Sequence, residues 1–224
     1  MYDLAIFDMA HTTVDDRDEV YRVLREATER QGAEYTDDEF RAHMGTEKKW
    51  AIRQLLDIGG LEVTEELVEE SWQWFRTELR RTYTQNPPSP LPGVEDMFGV
   101  LRDNGVKIAL TTGFSREIVD VILDAMGWTV GETIDAVVAG DEVEAGRPEP
   151  FLIRRVMSDL GVADTAGVIS VGDTSADIES ARRAGVTSVG VLTGHLTREQ
   201  FTDLGSDHIL ASAAEVPELL GLRR

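Results

Sequence analysis

Hydrophobic positions along the chain fall into two regimes. From about residue 15 to 85 they recur every three or four positions, the spacing that lines one face of a helix. Val20, Val23, Leu24 and Ala27 mark such a face, in a helix ending near Gly32. The segment "TDDE" at 36–39 has capping-box form and opens a short helix. A third helix is predicted from about Glu47 to Asp57, with Ile52, Leu55 and Leu56 inward. Thr64 caps a fourth, which buries Leu67, Val68, Trp72, Phe75 and Leu79. This block contains no convincing strand.

Elsewhere, short apolar runs alternate with helices. The first strand is Asp3–Phe7. The proline-rich "NPPSPLPG" (86–93) reads as a linker or stiff turn. Beyond it come helix Val94–Asn104, strand Val106–Leu110, a helix from about Ser115 to Met126, strand Ala136–Ala139 and a helix near Pro150–Leu160. Strand Val168–Val171, helix Ala176–Ala184 and strands Ser188–Val191 and His208–Leu210 complete the pattern. Apolar strands separated by helices imply an α/β fold, a parallel sheet covered on both faces. The division expected is a doubly wound core over 1–14 and 87–224, with an all-α domain over 15–86.

Composition narrows the possibilities. With 224 residues, 42% of them hydrophobic, the chain can bury one sizeable core and a small insert. No run approaches the roughly 20 apolar residues of a membrane span. "MYDLAIFD" has no basic leader, so no signal peptide is expected and the cytoplasm is the expected location. The absence of cysteine excludes disulfides and thiolate zinc sites. A net charge of −20 makes nucleic acid and anionic membrane poor partners. All but three of the 22 basic residues are arginine, the exceptions being Lys48, Lys49 and Lys107. An acidic, lysine-poor chain suggests a salt-rich host cytoplasm; GC-rich codon usage with an ordinary acidic surface is the other reading.

In an open parallel sheet, ligands bind beyond the carboxyl ends of the strands. There the first strand delivers Asp8, and the strand at 106–110 delivers Thr111, Thr112 and Gly113. The strand at 168–171 delivers Asp173 and Asp177, and the loop after 136–139 carries Arg147. Singly, each reads as a turn, cap or solvated loop residue. Together they suit phosphoryl chemistry. Asp8 and Asp173 match a hard cation such as Mg²⁺, leaving an Asp8 oxygen to attack phosphorus. Thr112, the Gly113 amide and Arg147 supply donors to the phosphoryl oxygens. Asp177 is placed to orient metal-bound water or to hold Arg147.

The segments "FDMAHTTV", "LTTGF", "GRPEP" and "VGDTSADIESARRAG", in that order, resemble the haloacid dehalogenase-like hydrolase superfamily. Ala10 and the paired threonines resemble its phosphonatase branch, phosphonoacetaldehyde hydrolase and its relatives. The resemblance implies a Rossmann-like core, a helical cap, Mg²⁺ and a covalent aspartyl intermediate. It places Asp8, the Ala10 carbonyl, Asp173 and Asp177 at the metal. Thr12, Thr112, Gly113 and Arg147 fall on the substrate, and Asp8, Lys48, Thr112 and Arg147 among the catalytic residues. Ala10 stands where the superfamily's phosphatases carry a general acid. Phosphonatases instead expel carbon as an enamine, through a lysine Schiff base, and "RAHMGTEKKWAIRQLL" (41–56) puts Lys48 at that lysine. Arginine cannot form an imine, and a neighbouring ammonium on Lys49 is expected to depress the amine pKa. A solvated lysine pair at the start of a helix is the bland alternative.

Three departures stand out: Ala51 replaces a histidine, Phe114 a tyrosine and His11 a glycine. His11 reads as a substitute proton donor near Asp8, or as a loop substitution with its ring turned to solvent or cap; either way it inherits glycine's backbone geometry. His43 and His195 have no readable partners. Trp72 and Trp74 are expected in core and interface, and Trp50 in packing rather than in a pocket. The expected substrate is a small phosphonate. The alternatives are a phosphate monoester, as in a phosphoglycolate phosphatase-like enzyme, or a phosphate-binding homologue of weak activity. The chain is expected to be a monomer or a homodimer.

Overall fold

The strand at the start of the chain is buried along its whole length, and the sheet is assembled around it. The computed structural model describes residues 2–222. Its strands are β1 (Leu4–Asp8), β2 (Val14–Asp15), β3 (Ser89–Pro90), β4 (Lys107–Thr111), β5 (Ala136–Val138), β6 (Val168–Gly172), β7 (Thr187–Val191) and β8 (His208–Leu210). Between β2 and β3 lie helices α1 (Glu19–Glu29), α2 (Asp37–Arg41), α3 (Lys48–Ile58) and α4 (Glu65–Gln85). The remaining helices are α5 (Val94–Asp103), α6 (Arg116–Met126), α7 (Phe151–Asp159), α8 (Ser175–Ala184), α9 (Arg198–Asp203) and α10 (Val216–Leu219).

Six strands form one parallel sheet in the order β5-β4-β1-β6-β7-β8. The chain runs outward from β1 through β4 to β5, then returns to build β6, β7 and β8 on the other side. That reversal opens a crevice at the carboxyl end of β1, the usual ligand position in a Rossmann-like α/β sheet. Along β1, Ala5 and Phe7 face one apolar cluster with Phe98, Ile108 and Val171, while Leu4 and Ile6 face a second with Leu152, Ile153 and Val156.

Helices α1 to α4 bury their apolar faces against one another. The expected inward residues Ile52, Leu55, Leu56, Val68, Phe75 and Leu79 are all buried, whereas Leu67, in the first turn of α4, is only partly buried. Each fully buried side chain contributes roughly 1.5–3 kcal/mol of burial, which a solvent-exposed helix would lack. The Thr36–Glu39 capping box forms as expected. Helix α4 also packs on α6, where Arg76 Nε and Arg80 Nη1 each donate to Glu117 at 3.0 Å.

The block is not wholly strand-free. Val14 and Asp15 pair antiparallel with Pro90 and Ser89, so part of the expected linker is a strand. The two crossings between the helical block and the sheet run side by side there, and Arg17 ties them by donating to Asn86 O and Pro87 O. Helices α9 and α10 were not apparent from periodicity, because six and four residues are too few to display it.

Candidate active site

Strand register brings the sequence-predicted acids together. Asp8 closes β1 and lies level with Thr111 of β4; Asp173 follows β6 directly. Asp8, Asp173 and Asp177 each place a carboxylate oxygen within 4.8 Å of the others'. All three are buried. Thr13 Oγ1 donates to the Asp8 carbonyl at 2.8 Å, tightening the turn that follows the strand.

Arg147 reaches this trio from the loop after β5, preceding a cis peptide to Pro148. Its Nη1 lies 2.5 Å from Asp8 Oδ1 and 2.7 Å from Asp177 Oδ1, and its Nη2 donates to Thr111 Oγ1 at 2.8 Å. The side chain is 3% exposed. Burial alone would lower its pKa; Asp177 and Asp8 outweigh that and raise it.

Asp177 is held at both ends. Thr174 N and Oγ1 donate to its Oδ2 at 3.1 and 2.5 Å, in the capping box that opens α8, while Oδ1 faces Arg147. Burial raises its pKa to about 6, against the opposing pull of Arg147. Burial, then the charges of Asp8 and Asp177, push Asp173 well above the usual carboxylate range. Thr12 Oγ1 donates to Asp173 Oδ1 at 3.2 Å, but the buried Oδ2 has no hydrogen-bond partner among the described residues. Three clustered carboxylates and an orphaned oxygen fit a hard cation. A Cβ on Gly194 would sit 2.0 Å from that oxygen, so only glycine leaves the space beside it open.

The loop leading into α3 closes over the crevice. A Cβ on Gly113 would fall 2.2 Å from Thr46 O, and Gly45 O lies 3.5 Å from Arg147 Nη1. Lys48 follows, 3% exposed, its Nζ donating to Thr46 O at 2.8 Å. The ammonium lies over the Phe114 ring at 5.6 Å and the Tyr21 ring at 6.0 Å. Burial, reinforced by Arg147 and opposed by Asp8, lowers its pKa to about 8. The two lysines therefore do not form a solvated pair. Lys49 turns outward to Glu69 at 2.6 Å, and the nearby cation that acts on Lys48 is Arg147.

Other expectations meet mixed outcomes. Thr112 is buried, its Oγ1 accepting from Phe114 N, and Ala51 is buried within α3. Trp72 is buried against Phe75, while Trp74 is partly buried under Arg30. Trp50 does not pack as expected. It is 45% exposed and, with Trp72, Arg76 and Glu117, lines a cleft of about 640 Å³ that reaches Arg147. The position lies on the outward side of the first turn of α3, where the His43 ring, 5.7 Å away, covers it only in part. His43 bonds locally to Glu39 O. His11 adopts φ 58°, the left-handed geometry inherited from glycine's position, and its ring stacks on Tyr21 at 5.5 Å. Tyr21, missed in the sequence, lies on the same face of α1 as Leu24 and Thr28; the i, i+3, i+7 spacing was the available signal.

With this geometry established, the chain belongs to the haloacid dehalogenase-like hydrolases, whose family model matches residues 5–191. It is a hydrolase of that family, and its relatives point to one branch. It is 33% identical over 200 residues to phosphonoacetaldehyde hydrolase from Bacillus cereus, covering 84% of this chain and 75% of that one. A phosphonoacetaldehyde hydrolase-like protein from Oleispira antarctica is 27% identical, with a TM-score of 0.83 over 98% of this chain and 91% of the other. A hydrolase from Pseudomonas syringae shares the fold, with a TM-score of 0.86 at 21% identity over 98% of both chains.

Proposed function

We propose that the chain cleaves the carbon–phosphorus bond of a small phosphonate bearing an aldehyde. Lys48 carries this reading: a buried amine, its pKa lowered to about 8, enclosed by two aromatic rings in electrostatic reach of Asp8 and Arg147. A lysine used only for charge attraction would gain nothing from that burial. The names of the curated relatives support the same substrate class.

In this reading the neutral Lys48 amine adds to the aldehyde and loses water, giving an imine. Protonated on nitrogen, the imine is an electron sink. Asp8 attacks phosphorus as the carbon–phosphorus bond breaks, and the bonding pair passes into an enamine. This leaving group needs no acid at position 10, which accounts for Ala10. Water hydrolyses the aspartyl phosphate; the enamine is protonated on carbon, and a second water frees the aldehyde and the amine.

Arg147, Thr12, Thr112 and the Gly113 amide hold the phosphonate oxygens and offset the charge that develops on them. Asp8, Asp173 and the Ala10 carbonyl would hold Mg²⁺, which when bound neutralises phosphonate charge beside Asp8. Asp177, with both oxygens engaged, positions Arg147. Helices α1 to α4, over 15–86, act as a cap on a core of 1–14 and 87–224. Closure of the loop at 45–47 keeps bulk water from the imine.

The test is a panel of phosphonates and phosphate monoesters, with borohydride trapping, on wild type, Asp8→Asn and Lys48→Arg. Asp8→Asn should lose all turnover. Lys48→Arg should lose phosphonoaldehyde turnover and borohydride labelling. Good monoester turnover that survives Lys48→Arg, without labelling in the wild type, would replace this reading with that of a phosphatase.

A further inference from the structure

Next to the carboxylate trio, three loops bring a second set of ligand-forming side chains together. His11 follows β1, Asp16 and Asp18 lie between β2 and α1, and His195 follows β7. Asp18 Oδ1 lies 3.2 Å from His11 Nε2 and 2.8 Å from His195 Nε2. Asp16 Oδ1 lies 3.5 Å from His11 Nε2. Ligand atoms of His11, Asp18 and His195 all fall within 4.8 Å of one another.

A separate observation concerns the buried polar atoms beside this cluster. Asp16 is completely buried, and its Oδ2 accepts from Val20 N at 2.9 Å and Tyr83 Oη at 2.7 Å. Its Oδ1 has no hydrogen-bond partner among the described residues, and neither has the buried His11 Nε2 that faces it. An orphaned carboxylate oxygen with no access to water is costly. A cation held by the His11 nitrogen satisfies that atom and offsets the buried Asp16 charge 3.5 Å from it.

We propose that His11, Asp18 and His195 bind one late first-row divalent cation of the zinc type, with the buried Asp16 carboxylate facing His11 behind it. Two imidazole nitrogens and a carboxylate oxygen, with water completing the set, suit such an ion better than Mg²⁺, which prefers oxygen alone. A tetrahedral ion with bonds of about 2.0–2.2 Å sets its ligand atoms roughly 3.3–3.6 Å apart, close to the 3.2 Å between His11 Nε2 and Asp18 Oδ1. The shorter His195–Asp18 contact is a hydrogen bond that opens when the ion takes the proton's place. The Tyr21 stack holds the His11 ring in position. Bound there, the ion fastens the start of α1 to the loops following β1 and β7, beside the β2–β3 crossing.

The test uses Co²⁺ as a spectroscopic probe on the full chain, in excess Mg²⁺ to fill the carboxylate trio. Wild type and Asp8→Asn should each bind one Co²⁺ with the intense visible absorption of a tetrahedral site, and Zn²⁺ should abolish it by displacement. His11→Gly and His195→Ala should each lose the absorption. Both are expected to fold, because φ 58° suits glycine and His195 is exposed. On wild type alone, Zn²⁺ should shift the ring NMR signals of His11 and His195 and leave those of His43 and His208 in place. The proposal is overturned if wild type shows no intense absorption, if either histidine variant keeps it, if Asp8→Asn loses it, or if the two histidines do not respond to zinc.

Discussion

Lys48 shows how a residue's surroundings set its chemistry. Lys48 and Lys49 are adjacent in sequence and start the same helix, yet one amine is buried over Asp8 and the other is paired with Glu69 at the surface. Burial disfavours the charged form. The folded chain therefore binds the Lys48 proton more weakly than the unfolded chain does, and the neutral amine becomes the major form above about pH 8. Turnover of a phosphonoaldehyde should accordingly rise as pH increases through about 8. Phosphate monoester turnover, needing no imine, should lack that limb. Parallel pH profiles of kcat/KM for the two substrate classes check this, and identical profiles would remove Lys48 from the chemistry.

Among the elements, the short loop before α3 matters most, because three glycines of the sheet loops let it approach. Gly113 backs onto Thr46 O, and both Gly140 and Gly146 lie against Glu47. The loop is therefore seated on backbone, and a single methyl group is enough to lift it. Gly113→Ala keeps the amide donor but puts a Cβ 2.2 Å from a carbonyl oxygen. Its expected outcome is a fall in kcat of an order of magnitude or more, on the scale that about 1 Å of misplacement produces, with little change in Tm. Turnover measured beside thermal melting checks this. Full activity would show that catalysis does not need the loop seated.

At the scale of the whole molecule, the excess of acids governs behaviour in salt. The arginines lie largely in local pairs, such as Arg22 with Glu26 at 2.8 Å and Arg155 with Asp159 at 2.9 Å. Exposed pairs of this kind contribute about 0–1 kcal/mol each, so they offset little of the self-repulsion that accompanies −20 charges. Added salt screens the repulsion over a Debye length of about 10 Å at 0.1 M and 3 Å at 1 M. Tm should therefore rise as KCl increases from low to molar concentration, most steeply at the dilute end. A flat or falling Tm would favour an ordinary acidic surface. Among the described residues no helix is long and apolar enough to cross a membrane.

The sequence by itself determined which residues face inward and which stand at strand ends. Ile52, Leu55 and Phe75 were legible because helical periodicity records a buried face. Asp8, Thr112, Arg147 and Asp173 were legible because a parallel sheet presents its strand ends on one side, whatever the details of packing. Only the tertiary structure decided which segments meet. The Tyr21 ring beside Lys48, the Thr46 carbonyl above Gly113 and the four-residue cluster from His11 to His195 join positions far apart in the chain. The exposure of Trp50 and the depressed pKa of Lys48 depend on the same packing. Local pattern specifies that a surface is to be buried, whereas its partner follows from the shapes and charges of surfaces that exist only once the chain has folded.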